Sequence, residues 1–106
     1  MSNNNWVKIC KESDLKKNEL FEYDYQTKKL LIVKTQKNIY AVDRICTHAY
    51  ADLSLGILNE EEKTVTCPLH LSAFSLEDGV PQNLPAEEPL NKYEVKVQDG
   101  WVYLLI

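Results

Sequence analysis

Along this chain hydrophobic and polar residues alternate in short bursts and seldom recur at helical spacing. Tyr93-Glu94-Val95-Lys96-Val97 alternates strictly; Asp99-Gly100 and a second apolar run from Trp101 to Ile106 follow, which predicts a tight hairpin. Phe21 to Tyr25 alternates aromatic with acidic residues, the mark of a half-buried strand. Thr27-Lys28-Lys29 predicts a turn into Leu30-Leu31-Ile32-Val33, an unbroken apolar run that reads as a central strand. Thr35 to Asn38 then turns into Ile39-Tyr40-Ala41-Val42. Further strands are predicted over Trp6 to Cys10, Lys63 to Thr66 and Ala73 to Leu76, the last stopped by Asp78-Gly79. A short helical turn is expected from Ser13, as its cap, through Lys17. Pro81, Pro85 and Pro89 keep their stretch from being a central strand. Short strands with turn residues between them predict an all-β fold, an antiparallel sandwich or barrel. With 106 residues, no repeat and no low-complexity tract, one domain spanning 1–106 is expected.

Two segments stand out from this scaffold for their chemistry. Cys46-Thr47-His48 directly follows a predicted strand, and Cys67-Pro68-Leu69-His70 follows another, with 18 residues between His48 and Cys67. Each offers one thiolate and one imidazole. Two cysteines and two histidines could hold one tetrahedral zinc, but zinc fingers usually put both cysteines in one segment and both histidines in the other. The mixed arrangement suits a two-iron cluster, in which one iron takes both cysteines and the other both histidines. Leu53 and Leu55 are expected to anchor the first segment to the body, and Gly56 to end it. The third cysteine, Cys10, has no partner, so a disulfide framework is excluded; a small, partly buried strand-end residue is expected there.

These residues resemble a Rieske-type [2Fe-2S] ferredoxin from about Val7 to the C-terminus. The resemblance rests on C-T-H, C-P-L-H, then Phe74, Gly79, Pro85-Ala86 and Glu88-Pro89-Leu90. It implies a Rieske-type sandwich or barrel with a small cluster-binding subdomain, at about 44–90, made of two ligand loops and a Pro loop. It implies one [2Fe-2S] cluster per chain, with Cys46 and Cys67 on the inner iron and His48 and His70 on the outer, redox-active one. Ser72 matches a residue whose hydroxyl donates to a cluster sulfide, whereas Phe74 stands where high-potential members have Tyr. Ala51 and Leu69 stand where those members have a loop-joining disulfide, and Leu71 stands where many members have Gly. The function implied is one-electron transfer, as in ferredoxins that pass electrons from a flavoprotein reductase to a terminal oxygenase. A Rieske subunit of a larger oxidoreductase is the alternative, and a zinc-binding interaction module a third reading.

Composition narrows the choice. His48 and His70 are the only histidines, so none remains for an oxygenase iron, and no serine elbow, phosphate loop or dinucleotide fingerprint is present; no enzymatic site of its own is expected. The net charge of −4 is split: residues 1–44 carry nine Lys/Arg against six Asp/Glu, and residues 45–106 three against ten. The ligand-bearing half is thus the acidic half, which argues against nucleic acid and predicts electrostatic steering of a basic partner. Glu60-Glu61-Glu62 and Glu87-Glu88 are its acidic runs. The polar start, Met1 to Asn5, and the lack of a long apolar run predict no membrane span and a cytoplasmic location; a monomer is expected.

Overall fold

The computed structural model describes residues 6–47, 50–69, 71–84 and 86–106. His48, His70 and Pro85, three of the residues singled out above, lie outside them. Nine strands are described: β1 Trp6–Lys11, β2 Leu20–Tyr25, β3 Lys28–Lys34, β4 Ile39–Asp43, β5 Ile57–Asn59, β6 Thr64–Thr66, β7 Ala73–Ser75, β8 Lys92–Gln98 and β9 Trp101–Leu105. All the strand pairs are antiparallel, in a six-stranded sheet of order β1-β9-β8-β4-β3-β2 and a three-stranded sheet β5-β6-β7. The fold is the expected all-β antiparallel architecture.

β3 explains how the two sheets share a core. Leu30 and Ile32 join Cys10, Ala41, Val102 and Leu104 in one buried cluster. Leu31 and Val33, which point to the other face, join Val42, Val65, Phe74, Leu76 and both Cys46 and Cys67 in a second. An apolar run without alternation is what a strand buried on both faces requires. β3 and β4 therefore form the wall on which the ligand-bearing part is built.

Local structure departs from expectation at four places. The turn between β2 and β3 falls at Gln26-Thr27, with Gln26 at φ 55, so Lys28 and Lys29 already belong to β3. The helical turn is a single 3-10 turn over Glu12–Asp14 capped at Lys11; Ser13 lies inside it, and Leu15, extended and buried, ends it. Lys63, at φ 56, belongs to the turn before β6. β5 has no alternation to announce it: Ile57 is exposed and only three residues pair. The β8–β9 hairpin turns as expected, with Asp99 and Gly100 both at positive φ, the backbone a two-residue type I′ turn needs. Cys10 is buried in β1 beside the register shift at Lys8/Cys10, and burial, then Asp14, push its thiol upward in pKa.

Candidate metal centre

The first ligand segment is a loop closed at its base by backbone. Ile45 bridges Asp52, the Cys46 N–H donates to the Ala51 carbonyl at 2.8 Å, and the Tyr50 N–H donates back to the Cys46 carbonyl at 3.0 Å. Asp52 caps the 3-10 turn Leu53–Leu55 by accepting from the Ser54 N–H and hydroxyl. Leu53 is fully buried and anchors the loop as expected. Leu55 does not, being three-quarters exposed, because a three-residue turn can bury only one of its two leucines.

Arg44 ties this loop to the sheet. Its guanidinium is almost fully buried and meets Asp24 at 2.8 Å, Glu22 at 3.6 Å and, through Nε, Asp52 at 3.4 Å. The Nε contact is an ion pair without hydrogen-bond alignment. One cation thus joins two carboxylates of β2 to the residue that closes the ligand loop, an arrangement suited to arginine's planar fork. Sequence reasoning passed over Arg44, although it is the one arginine in the chain and stands two residues before Cys46.

The second segment, after β6, is built in the same way. The Cys67 N–H donates to the Ser72 carbonyl at 2.8 Å, closing the loop between them. The two loops are brought together at Gly56, where a Cβ would stand 2.0 Å from the Thr66 carbonyl oxygen, one residue before Cys67. Only glycine permits that approach. The third segment, from Pro81 to Leu90, closes over the others. Thr47 donates its hydroxyl to the Glu88 carbonyl at 2.7 Å; Asn83 accepts from the Ala73 N–H and donates to the Leu71 carbonyl.

Cys46 and Cys67 therefore meet in one buried core cluster, both free, and close enough that one acts on the ionisation of the other. Burial pushes the Cys67 thiol up, the Leu69 backbone N–H at its sulfur pulls it down, and neighbouring Cys46 raises it again. Two buried sulfurs so close ionise cheaply only with a cation between them, so this pair fits a metal centre. Ser72 is also buried, and its Oγ accepts the Ala86 N–H at 3.0 Å. That bond uses a lone pair and leaves the hydroxyl proton free to donate.

Buried cysteines that share one core, on two loops that leave strands of the two different sheets and are covered by a third loop, define the class: an all-β scaffold carrying a redox metal centre at its edge. The match to the Rieske [2Fe-2S] domain model over residues 5–94 makes the assignment specific, and the chain belongs to this family. Ferredoxin CarAc of Metapseudomonas resinovorans is 32% identical over 100 residues, covering 93% of this chain and 92% of that one. The ferredoxin of carbazole 1,9a-dioxygenase from Nocardioides aromaticivorans IC177 superposes with a TM-score of 0.89 at 27% identity, covering 94% and 96%. A chain in the complex of reduced oxygenase and oxidized ferredoxin in carbazole 1,9a-dioxygenase gives 0.87 at 32% identity, covering 97% and 94%. A Rieske domain implies a [2Fe-2S] cluster, and this chain is a Rieske electron carrier of the ferredoxin kind. No helix among the described residues is long and apolar enough to cross a membrane.

Proposed function

We propose that the chain is a single-domain, monomeric, cytoplasmic carrier that holds one [2Fe-2S] cluster and passes one electron at a time from a flavoprotein reductase to a terminal oxygenase. Cys46 and Cys67 hold one iron, and His48 and His70 the other. The observation that carries the ligand assignment is the meeting of the two buried cysteines from two loops of like construction, each loop supplying one of the histidines in sequence. The cluster supplies a single reversible one-electron step. The protein supplies rigid loop bases, a dry inner face made by Phe74, Leu76 and Leu90, and a Ser72 hydroxyl proton that favours the more negative, reduced state. The terminal oxygenase as acceptor is supported by the relatives, one of which is a ferredoxin bound to an oxygenase.

Quantifying iron and acid-labile sulfide in the purified protein, with a coulometric titration, tests this reading. Two irons, two sulfides and one electron per chain are expected. A colourless protein with one zinc per chain would overturn it.

A further inference from the structure

Exposed large apolar side chains cluster on the loops at the ligand end. Tyr50 in the first ligand loop is 80% exposed, Leu71 in the second 62%, and Leu84 in the third 73%; Leu69 is exposed as well. The hydrogen bonds of Asn83 to the second loop, and of Thr47 to the third, place these side chains around one end of the molecule.

Backbone conformation adds an independent observation. Tyr50 has φ 56 and Leu71 φ 58, the left-handed region, which costs an L residue roughly 1–2 kcal/mol. Among the described residues, the other non-glycine residues with positive φ are Asn18, Gln26, Lys63 and Asp99, all polar turn residues. Asn or Gly would hold the same turn more cheaply, and neither Tyr50 nor Leu71 buries enough of itself within the chain to offset the cost. They occupy matching places, each four residues after the cysteine of its loop, Cys46 and Cys67. An apolar side chain kept at a strained, exposed position needs a surface outside the chain.

Charge says what that surface is. Neither 45–56 nor 67–90 contains a lysine or arginine. Glu60 and Glu61 share a hollow with Thr35, Gln36 and Lys37, at the end of β4 opposite the ligand loops and about 15 Å from them along the strand. The expected steering by both acidic runs is thereby corrected: only Glu87 and Glu88, in the third loop, flank the site.

We propose that Tyr50, Leu69, Leu71 and Leu84 form an apolar docking collar around the loop end of the metal centre, with Glu87 and Glu88 as its acidic edge. Its occupant is the electron acceptor, a protein with an apolar hollow over its own redox centre and a cationic rim. This inference rests on the carrier function proposed above. Apolar contact seats the acceptor, and the acidic edge only speeds its approach.

Ferricytochrome c, whose apolar haem edge is ringed by lysines, is a suitable probe acceptor. Reduced holoprotein is mixed with it in a stopped-flow instrument at 0.5 M NaCl, where exposed charges are screened beyond about 4–5 Å. Tyr50→Asn, Leu71→Asn and Leu84→Ser, each with unchanged visible spectrum and midpoint, should each slow electron transfer about three- to tenfold. Asn suits the left-handed backbone, and if one variant fails to load its cluster the other two decide. Val97→Ser, an exposed apolar residue on β8 outside the collar, should match the unsubstituted protein. Glu87→Gln and Glu88→Gln should slow transfer at low salt and not at 0.5 M. Collar variants as fast as the unsubstituted protein at 0.5 M would overturn the collar. An unsubstituted, reduced protein that delivers no electron would overturn the carrier function instead.

Discussion

Ser72 shows how much one hydroxyl can do at this site. Its Oγ is fixed by the Ala86 N–H, so its proton is left free to donate. A hydrogen bond to a charged acceptor is worth about 1.5–3 kcal/mol, and for one electron about 59 mV is a tenfold change, so Ser72→Ala should lower the midpoint by about 65–130 mV. Leaving the buried Ala86 N–H unpaired should also cost about 1–3 kcal/mol of stability. Protein-film voltammetry and thermal denaturation read the two effects separately. A midpoint unchanged by the substitution would mean that the proton is spent elsewhere. Ser72 was singled out in the sequence through the family resemblance, which sets it two residues after His70. Arg44 was not, since its role depends on Glu22, Asp24 and Asp52 converging from distant positions. Tyr50 and Leu71 were present in the sequence as ordinary apolar residues; only φ and exposure make them unusual.

At the scale of elements, the strands that alternate or form long apolar runs were legible, whereas β5 was not: three pairs with β6 hold it, and Ile57 is exposed. What β5 does is bring Gly56 against Thr66, which sets the separation of the two ligand loops. Gly56→Ala would press a methyl group onto backbone that cannot yield cheaply, and a loss of about 1–3 kcal/mol is expected, read as a lower melting temperature and faster cluster loss. Gly100→Asn is the contrast: nothing lies within 4 Å of its missing Cβ, and asparagine tolerates its φ of 80, so the melting temperature should hardly move. An unchanged melting temperature in Gly56→Ala would show that the loops are not spaced by that contact. The junction of β4 and β8 makes a pH-dependent prediction. The Tyr93 hydroxyl donates to Asp43 at 2.7 Å, one residue before Arg44, and burial, then Asp43, raises its pKa from 10.0. A raised folded-state pKa gives stability that is complete below the unfolded value and lost as pH climbs above it. The stability advantage of the unsubstituted protein over Tyr93→Phe should therefore be level up to about pH 9 and shrink by about 1.4 kcal/mol per unit above pH 10. Urea titrations across that range check it, and an advantage that does not change would place the hydroxyl in water.

Taken whole, the molecule separates support from function. The six-stranded sheet carries one buried cluster between its own strands. A second, on the other face of β3 and β4, holds the three-stranded sheet and both cysteines. The basic first part of the chain supplies β1 to β4, and the acidic remainder supplies the loops, the three-stranded sheet, and β8 and β9 of the larger one, so the charge asymmetry visible in the sequence maps onto the fold in part. It misled only over Glu60 and Glu61, because β6 carries the chain from that turn to the other end of the molecule before Cys67. The central claim is that one electron enters a centre held by two cysteines and two histidines. With two histidines in 106 residues, labelling with ¹⁵N-histidine touches His48 and His70 alone. Pulsed electron paramagnetic resonance of the reduced, labelled protein tests the claim most directly. Two strongly coupled nitrogens that change from ¹⁴N to ¹⁵N on labelling are predicted, one of them disappearing in any His48→Ala or His70→Ala protein that retains a cluster. A reduced centre whose spectrum shows no coupling to histidine nitrogen would contradict the account.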